Sequence, residues 1–221
     1  MPPLFRYFSN QHAEAFVERG EVLFRSLSYF RDYEDAGVRS DEYEGTLVHL
    51  PSDGLKVNKI ATGEVVALPH RMESSAKEDE IFIYCMSTEL SSDIARRFNA
   101  EQVVEILDPV RFLAMVRAGL SLRKRLRANK LAHQRVRYYD WNEPPMVDWA
   151  LPERIAMRKP NSFSWQKEYR FAVPLGDAFR VENVTINLVP PGATRPTRAT
   201  SHPCIMLKLG RLSSICQVHK L

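Results

Sequence analysis

The chain of 221 residues has few cysteines: Cys85, Cys204 and Cys216, scattered and odd in number. They suit buried thiols in a reducing cytoplasm. It has no run of about 18 apolar residues, so no membrane span is expected. The opening MPPLFRYFSN lacks a basic region followed by an apolar core, so no secretory signal is expected. No Gly-rich loop follows an expected strand, which disfavours P-loop and Rossmann sites. The six histidines, His12, His49, His70, His133, His202 and His219, stand far apart and never beside a cysteine at ligand spacing. No structural zinc or other metal is expected. No Gly-x-Ser-x-Gly elbow occurs. The chemistry left is that of Arg, Ser, Tyr, Gln and Glu.

What is present fits one domain over residues 1–221, with enough apolar residues for a sizeable core. The net charge is +4, unevenly spread. Residues 123–130, RKRLRANK, are strongly basic through Arg123, Lys124, Arg125, Arg127 and Lys130, with Arg111, Arg117, Arg135 and Arg137 near in sequence. The first fifty residues are acidic by contrast, through Glu34, Asp35, Asp41, Glu42 and Glu44. A basic stripe suits an anionic partner, most often nucleic acid, or else it is a solvated helix end.

Residues 3–8 predict a strand, and Ala13, Phe16 and Val17 at helical spacing predict a helix ended by Gly20. Residues 21–27 predict the next strand, and 28–45 a polar loop. Hairpin signals at Asp53-Gly54 and Thr62-Gly63 link LVHL, LKVNKI and EVVAL. Residues 72–80 are polar and read as a mobile segment. EIFIYCMS reads as a central strand, being apolar nearly throughout. A short helix to Phe98, the strand QVVEIL, the helix DPVRFLAMVRAGL and the strand QRVRYY follow. Residues 140–162 read as irregular, with at most one short helix, and KEYRFAVPL, VENVTINLV and CIMLKL as late strands. The pattern is α+β with antiparallel hairpins.

SFSWQKEYRF, residues 162–171, puts Gln166 and Glu168 on one face of an expected strand. An amide and a carboxylate so placed are a working pair, or else the solvated face of an edge strand.

Several stretches together resemble the ADP-ribosyltransferase fold, in which the first two strands grip the nicotinamide end of NAD. LFRYFS resembles the first strand, with Arg6 at the Arg or His position. SLSYF resembles the Ser-x-Ser element followed by aromatics. WQKEYR resembles the Gln/Glu-x-Glu element that carries the catalytic glutamate. The order matches the Arg-Ser-Glu class, and the close spacing of Arg6 and Ser-x-Ser is similar to the DNA-modifying DarT toxins. SLSYFRDYEDAGVRSDEYEG, residues 26–45, is similar to the AbiGi-type abortive-infection family of bacterial phage-defence and toxin–antitoxin loci. The resemblance implies split mixed or antiparallel sheets with a few short helices around an NAD cleft, NAD as substrate and no metal. It implies Glu168, Gln166 and Arg6 as the catalytic set: Glu168 as the carboxylate beside the ribose, Gln166 positioning the acceptor, and Arg6 binding the NAD phosphates or bracing the ribose, or else a surface arginine; Tyr7 joins Arg6 in the first strand on the NAD. Ser26 and Ser28, on one strand face, would order the glutamate or the ribose, or else be exposed strand hydroxyls. Tyr29 and Phe30 would stack on nicotinamide, or pack in the core. Arg31 would reach the pyrophosphate. Arg39, Asp41 and Glu44 would make a second polar wall, or an exposed charged loop. The implied acceptor is RNA or DNA held on the basic stripe, with Tyr138, Tyr139, Trp141 and Trp149 as stacking or core aromatics. An antitoxin protein is the implied partner, and the cytoplasm the implied place. A binding protein that has lost the activity, and an NAD glycohydrolase, are the alternatives.

Overall fold

The structure, a computed structural model, describes residues 1–32, 41–194 and 202–220, apart from the side chains of Asn10 and Gln11. The chain runs β1 (Leu4–Phe8), α1 (Asn10–Arg19), β2 (Glu21–Ser26), α2 (Leu27–Asp32), β3 (Thr46–His49), β4 (Leu55–Asn58), β5 (Val65–Leu68), β6 (Arg71–Ser75) and β7 (Ile81–Ser87). It continues with α3 (Ser92–Arg97), β8 (Gln102–Ile106), α4 (Pro109–Ser121), β9 (Ala132–Arg135), β10 (Arg137–Tyr139), α5 (Pro152–Ile155) and β11 (Arg158–Pro160). β12 (Glu168–Pro174), β13 (Thr185–Val189), β14 (Cys204–Lys208) and β15 (Cys216–Lys220) complete it. The architecture is mixed α+β around a curled antiparallel sheet.

β7 is the hub of the eight-stranded sheet, as its apolar sequence requires. β12 pairs along its whole length, from Glu168↔Ser87 to Pro174↔Ile81. A strand has two hydrogen-bonding edges, so β1 and β2 must share the other. β2 takes one end, with Arg25↔Ile83 and Ser26↔Phe82. β1 takes the other, with Phe5↔Ser87. The sheet therefore forks: β1 leads on to β8 and β15, and β2 leads to β14. Arg6 closes the fork by donating from Nη1 to the carbonyl oxygen of Cys85, which lies between the two branches.

Side chains of β7 alternate between the two faces of the sheet. Phe82, Tyr84 and Met86 join a cluster with α1 and α4, built on Phe16, Phe112 and Val116. Ile81 and Ile83 join a second cluster with Leu47, Tyr139, Trp149 and Ile155. Phe5, Tyr7, Ile94 and Val103 form a third around α3. Helix α4 begins where Asp108 accepts from Arg111 N at 2.9 Å, with Pro109 in its first turn.

Four readings of the sequence are corrected. Residues 71–75 form a strand, not a mobile segment, although Glu73 and Ser74 are polar and buried. Hydrogen bonds stabilise it in place of apolar alternation: Ser74 Oγ donates to Trp149 O at 2.5 Å, and Arg71 Nε to Glu73 at 2.6 Å. QRVRYY is two strands in two sheets, broken at Val136, with β9 on β12 and β10 parallel to β11. The chain turns helical at Leu27, so Ser28 lies in α2 and shares no strand face with Ser26. Gln166 ends a 3-10 turn, Lys167 has φ 47°, and the strand begins at Glu168, so Gln166 and Glu168 are not alternate residues of one strand.

Gly20 ends α1 in the left-handed region at φ 61°, and a Cβ there would lie 2.2 Å from Gly210 O. Gly63 shares the positive φ, at 69°, but faces open space. Gly20→Ala is expected to cost about 3 kcal/mol or more, and Gly63→Ala about 1–2 kcal/mol. Urea unfolding midpoints of the two variants check the difference.

Candidate active site

The charged side chains that meet under the sheet come from two distant parts of the chain, Glu44 and the stretch from Lys159 to Arg170. Glu168 opens β12 and points to the same face as Ser87 and Phe5, its partners across β7. Arg170, two residues on, shares that face and is wholly buried. Its guanidinium bridges two carboxylates. Nη1 and Nη2 donate to the two Glu44 oxygens at 2.6 and 2.7 Å, and Nε donates to Glu168 Oε1 at 2.6 Å. Nη1 also donates to Ala156 O at 2.8 Å. Lys159 from β11 lies 3.5 Å from Glu168 Oε2 and 4.0 Å from Glu44, and donates to Gln166 Oε1 at 2.9 Å. Gln166 and Glu168 thus do converge, through Lys159 rather than through strand parity.

Glu168 is only 6 % exposed. Burial pushes its pKa up, but Arg170 and then Lys159 outweigh burial and hold it at about 2. The carboxylate is ionised at neutral pH. Burial, then Glu168, raises the Cys85 thiol well above its ordinary value, so Cys85 is neutral beside it. Asp41 is 2 % exposed, and burial, then Glu44, raises it to about 6. Among the described residues its Oδ2 has no hydrogen-bond partner. Below about pH 6 Asp41 is neutral, and Glu44 and Glu168 then balance Lys159 and Arg170 in charge. Asp41 and Glu44 are therefore part of a buried wall and not of an exposed loop, while Arg39 lies outside the described residues.

Arg6 sits elsewhere. It is opposite Met86 in register, so it faces the other side of the sheet from Glu168. Its guanidinium lies 5.0 Å from the Tyr84 ring centre and 5.7 Å from that of Phe8. Arg6 and Glu168 both reach Cys85, one at its carbonyl and the other at its thiol. Tyr7 is a clamp for the segment after β7: its hydroxyl donates to Glu89 O at 2.7 Å and accepts from Ser91 N at 2.8 Å.

The remaining candidates gather at α2. Ser26 and Ser28 are buried with their hydroxyls 2.9 Å apart. Tyr29 is half-buried, under the guanidinium of Arg25 at 4.2 Å and edge-on to Phe30. Phe30 packs against the second cluster. Arg31 pairs with buried Glu78 and with Asp32 at 2.9 Å. Arg123, Lys124, Arg125, Arg127 and Lys130 are all exposed on the turn after α4, where Arg123 donates to Met206 O at 2.8 Å. Tyr139 and Trp149 are core, Tyr138 Oη accepts from Glu168 N at 2.9 Å, and Trp141 meets Tyr43 edge-on.

Lys159, Arg170 and Glu78 were missed in the sequence. Arg170 had a signal, since it stands two residues from Glu168 on one strand face. Lys159 had none, as it lies in a stretch without periodicity. An open groove of about 600 Å³ between α3, β8 and β15 is lined by Ser92, Arg96, Gln102 and Lys220 among others, and shares no residue with the cluster. No group of three metal-ligating side chains occurs among the described residues, and no helix among them is long and apolar enough to cross a membrane.

Two outcomes follow for stability. Arg170→Met removes the short guanidinium bonds from two buried carboxylates and leaves them sharing Lys159 at 3.5 and 4.0 Å, and it is expected to cost about 3–5 kcal/mol by urea unfolding. Asp41 is raised in the folded state, so the folded chain binds the extra proton between about pH 4 and pH 6. Its contribution is present below that window and is lost as pH rises through about 6. Glu168 acts in the opposite sense, losing its contribution as pH falls from about 4 through about 2. Wild type is expected to lose stability relative to Asp41→Asn between pH 4 and 6, by roughly 2–3 kcal/mol at most, read from paired unfolding curves across that range.

Comparison with protein-family models, curated proteins and solved structures finds no match.

Proposed function

We propose that the chain is an NAD-dependent ADP-ribosyltransferase of a bacterial anti-phage system, of the abortive-infection or toxin–antitoxin kind. It acts in the cytoplasm on a nucleic-acid acceptor and is restrained by an antitoxin protein. One observation carries the reading. The two stretches that resemble such enzymes, 26–45 and 165–170, meet where Arg170 grips Glu44, 126 positions away, together with Glu168. The antiparallel pairing of the large sheet is in keeping with the split mixed or antiparallel sheets that the resemblance implies.

Cleavage of the bond from nicotinamide to ribose develops positive charge on the ribose, as in glycoside chemistry. Glu168, ionised well below neutral pH, is the carboxylate to face that charge. Fixed charge of this kind is worth several kcal/mol in a transition state. Arg6 braces the fork and is not assigned to the chemistry. The exposed turn from Arg123 to Lys130 is the surface for nucleic-acid phosphates.

A second reading is a nucleic-acid- or partner-binding protein without turnover. The saturation of Glu168 favours it, because Arg170, Lys159 and the Cys85 thiol already engage a nearly closed carboxylate.

Labelled NAD incubated separately with RNA, DNA and protein tests the proposal. Label on nucleic acid is expected, falling about 100-fold or more in Glu168→Gln. Free ADP-ribose alone assigns the chain as a glycohydrolase. No turnover with nucleic acid retained supports the second reading. Glutamate at Arg123, Lys124 and Arg125 is expected to weaken nucleic-acid binding across sequences and to flatten its log–log salt dependence by up to about 0.9 per lost phosphate contact on duplex DNA.

A further inference from the structure

β14 ends one branch of the eight-stranded sheet, with β2 on its inner edge. An antiparallel ladder alternates hydrogen-bonded and non-bonded residue pairs. Two bonds that flank β14 fix the parity: Ser26 N donates to Pro203 O at 3.2 Å, and Leu209 N donates to Gly20 O at 3.0 Å. The register runs from Cys204↔Arg25 to Lys208↔Glu21, so Ile205 and Leu207 are the residues bonded to Phe24 and Val22. Cys204, Met206 and Lys208 therefore turn their backbone N–H and C=O groups away from β2. Among the described residues no strand pairs with that outer edge. One group on it is engaged, since Arg123 donates from Nη2 to Met206 O at 2.8 Å.

That contact brings the basic turn to the edge. Arg123, Lys124, Arg125, Arg127 and Lys130 are exposed, and among the described residues none of the five forms an ion pair. The exposed Arg19, Arg97 and Arg211, by contrast, each hold a carboxylate. Lys208 adds a further cation on the edge strand itself, and Glu21 opposite it is held by Arg19 at 2.8 Å. Two apolar side chains lie exposed in the same stretches: Met206 is 38 % exposed, and Leu122, next to Arg123, is 82 % exposed. A row of unpaired backbone groups suits an extended chain. A cluster of unpaired cations suits carboxylates. An acidic strand supplies both. Nucleic acid answers the charge but leaves the backbone groups to water, and a second copy of this edge brings like charges together.

We propose that the outer edge of β14 is a docking site for an extended acidic segment of a partner protein. The segment adds a further strand beside Met206 and turns its carboxylates to the cations from Arg123 to Lys130. The docking does not depend on NAD turnover, and it gives the restraining protein of the reading above a surface.

Fluorescence anisotropy with a short peptide alternating valine and glutamate, and with its valine–lysine counterpart, tests the proposal together with backbone amide exchange. The acidic peptide is expected to bind about tenfold or more tighter than the basic one at low salt. On binding, amide exchange at Met206 and Lys208 slows about tenfold or more, while Ile205 and Leu207, already bonded to β2, change little. N-methylation of alternate peptide residues removes binding in the frame whose N–H groups face β14 and spares it in the other, with no change to the protein. Met206→Pro deletes an N–H that lies outside the ladder with β2. It is expected to weaken the acidic peptide about tenfold, with an unfolding curve near that of wild type. Equal affinity for the two peptides, or exchange at Met206 and Lys208 that the acidic peptide leaves unmoved, overturns the proposal. So does a short single-stranded oligonucleotide that binds where the acidic peptide does not, which assigns the turn to phosphates alone. Protection of Met206 that rises with protein concentration assigns the edge to a second copy and overturns it too. Absence of NAD turnover in a parallel assay counts against the transferase reading and leaves this result as it stands.

Discussion

One guanidinium organises the charged interior. Arg170 is wholly buried, and a buried cation survives only where carboxylates meet it with good geometry. Two do: Glu44 offers both oxygens to the terminal nitrogens, and Glu168 takes Nε. A lysine would not reproduce this, because a point charge has no planar fork to join two carboxylates. The consequence is topological as well as electrostatic. The segment that leads into β3 is fastened to the strand beside β7, so the small sheet and the large one share a charged seam. The same cation keeps Glu168 ionised, and the carboxylate it draws in, Glu44, helps to push Asp41 towards neutrality.

The fork in the large sheet raises a second constraint. Where β1 and β2 part, the Cys85 carbonyl has no strand partner on that edge among the described residues, and a buried carbonyl left alone is costly. Arg6 supplies the donor from its side chain. This gives Arg6 a reason to be arginine that is independent of any ligand. It also explains why Arg6 and Glu168 are near in space but on opposite faces. Arg6 belongs with the aromatic face of Tyr84 and Phe8, and Glu168 with the ionic face.

Much of this was legible in the residues. Gly20 after Ala13, Phe16 and Val17 announced α1 and its end, and the apolar run from Ile81 announced the hub strand. The α+β class and antiparallel pairing followed from the same patterns. What was not legible has a common cause. β6 is polar, so hydrogen bonds with Trp149 and Thr46 fix it, and those partners are far away in sequence. α2 reads as a loop because only Leu27 and Ser28 are buried in it, too few to set a period. Val136 breaks QRVRYY because β9 follows β12 while β10 follows β11, a choice made by tertiary neighbours. Glu168 was found because a carboxylate at a strand start stands out; Lys159, which completes its surroundings, gives no local sign.

The two oxygens of Glu168 are not equivalent, and this bears on whether a paired carboxylate can still act. Arg170 Nε holds Oε1 at 2.6 Å, a short charge-assisted bond. Oε2 meets its cations at longer range, 3.4 Å to Arg170 Nη2 and 3.5 Å to Lys159. At such distances each contact is weaker than the short bond at Oε1. An acceptor held ionised at one oxygen and loosely engaged at the other is suited to a ribose hydroxyl or a developing cation at the second. On the transferase reading, Oε2 is therefore the working oxygen and Arg170 the group that keeps it charged. On the same reading Lys159, which already donates to Gln166, is the contact that would have to yield to substrate.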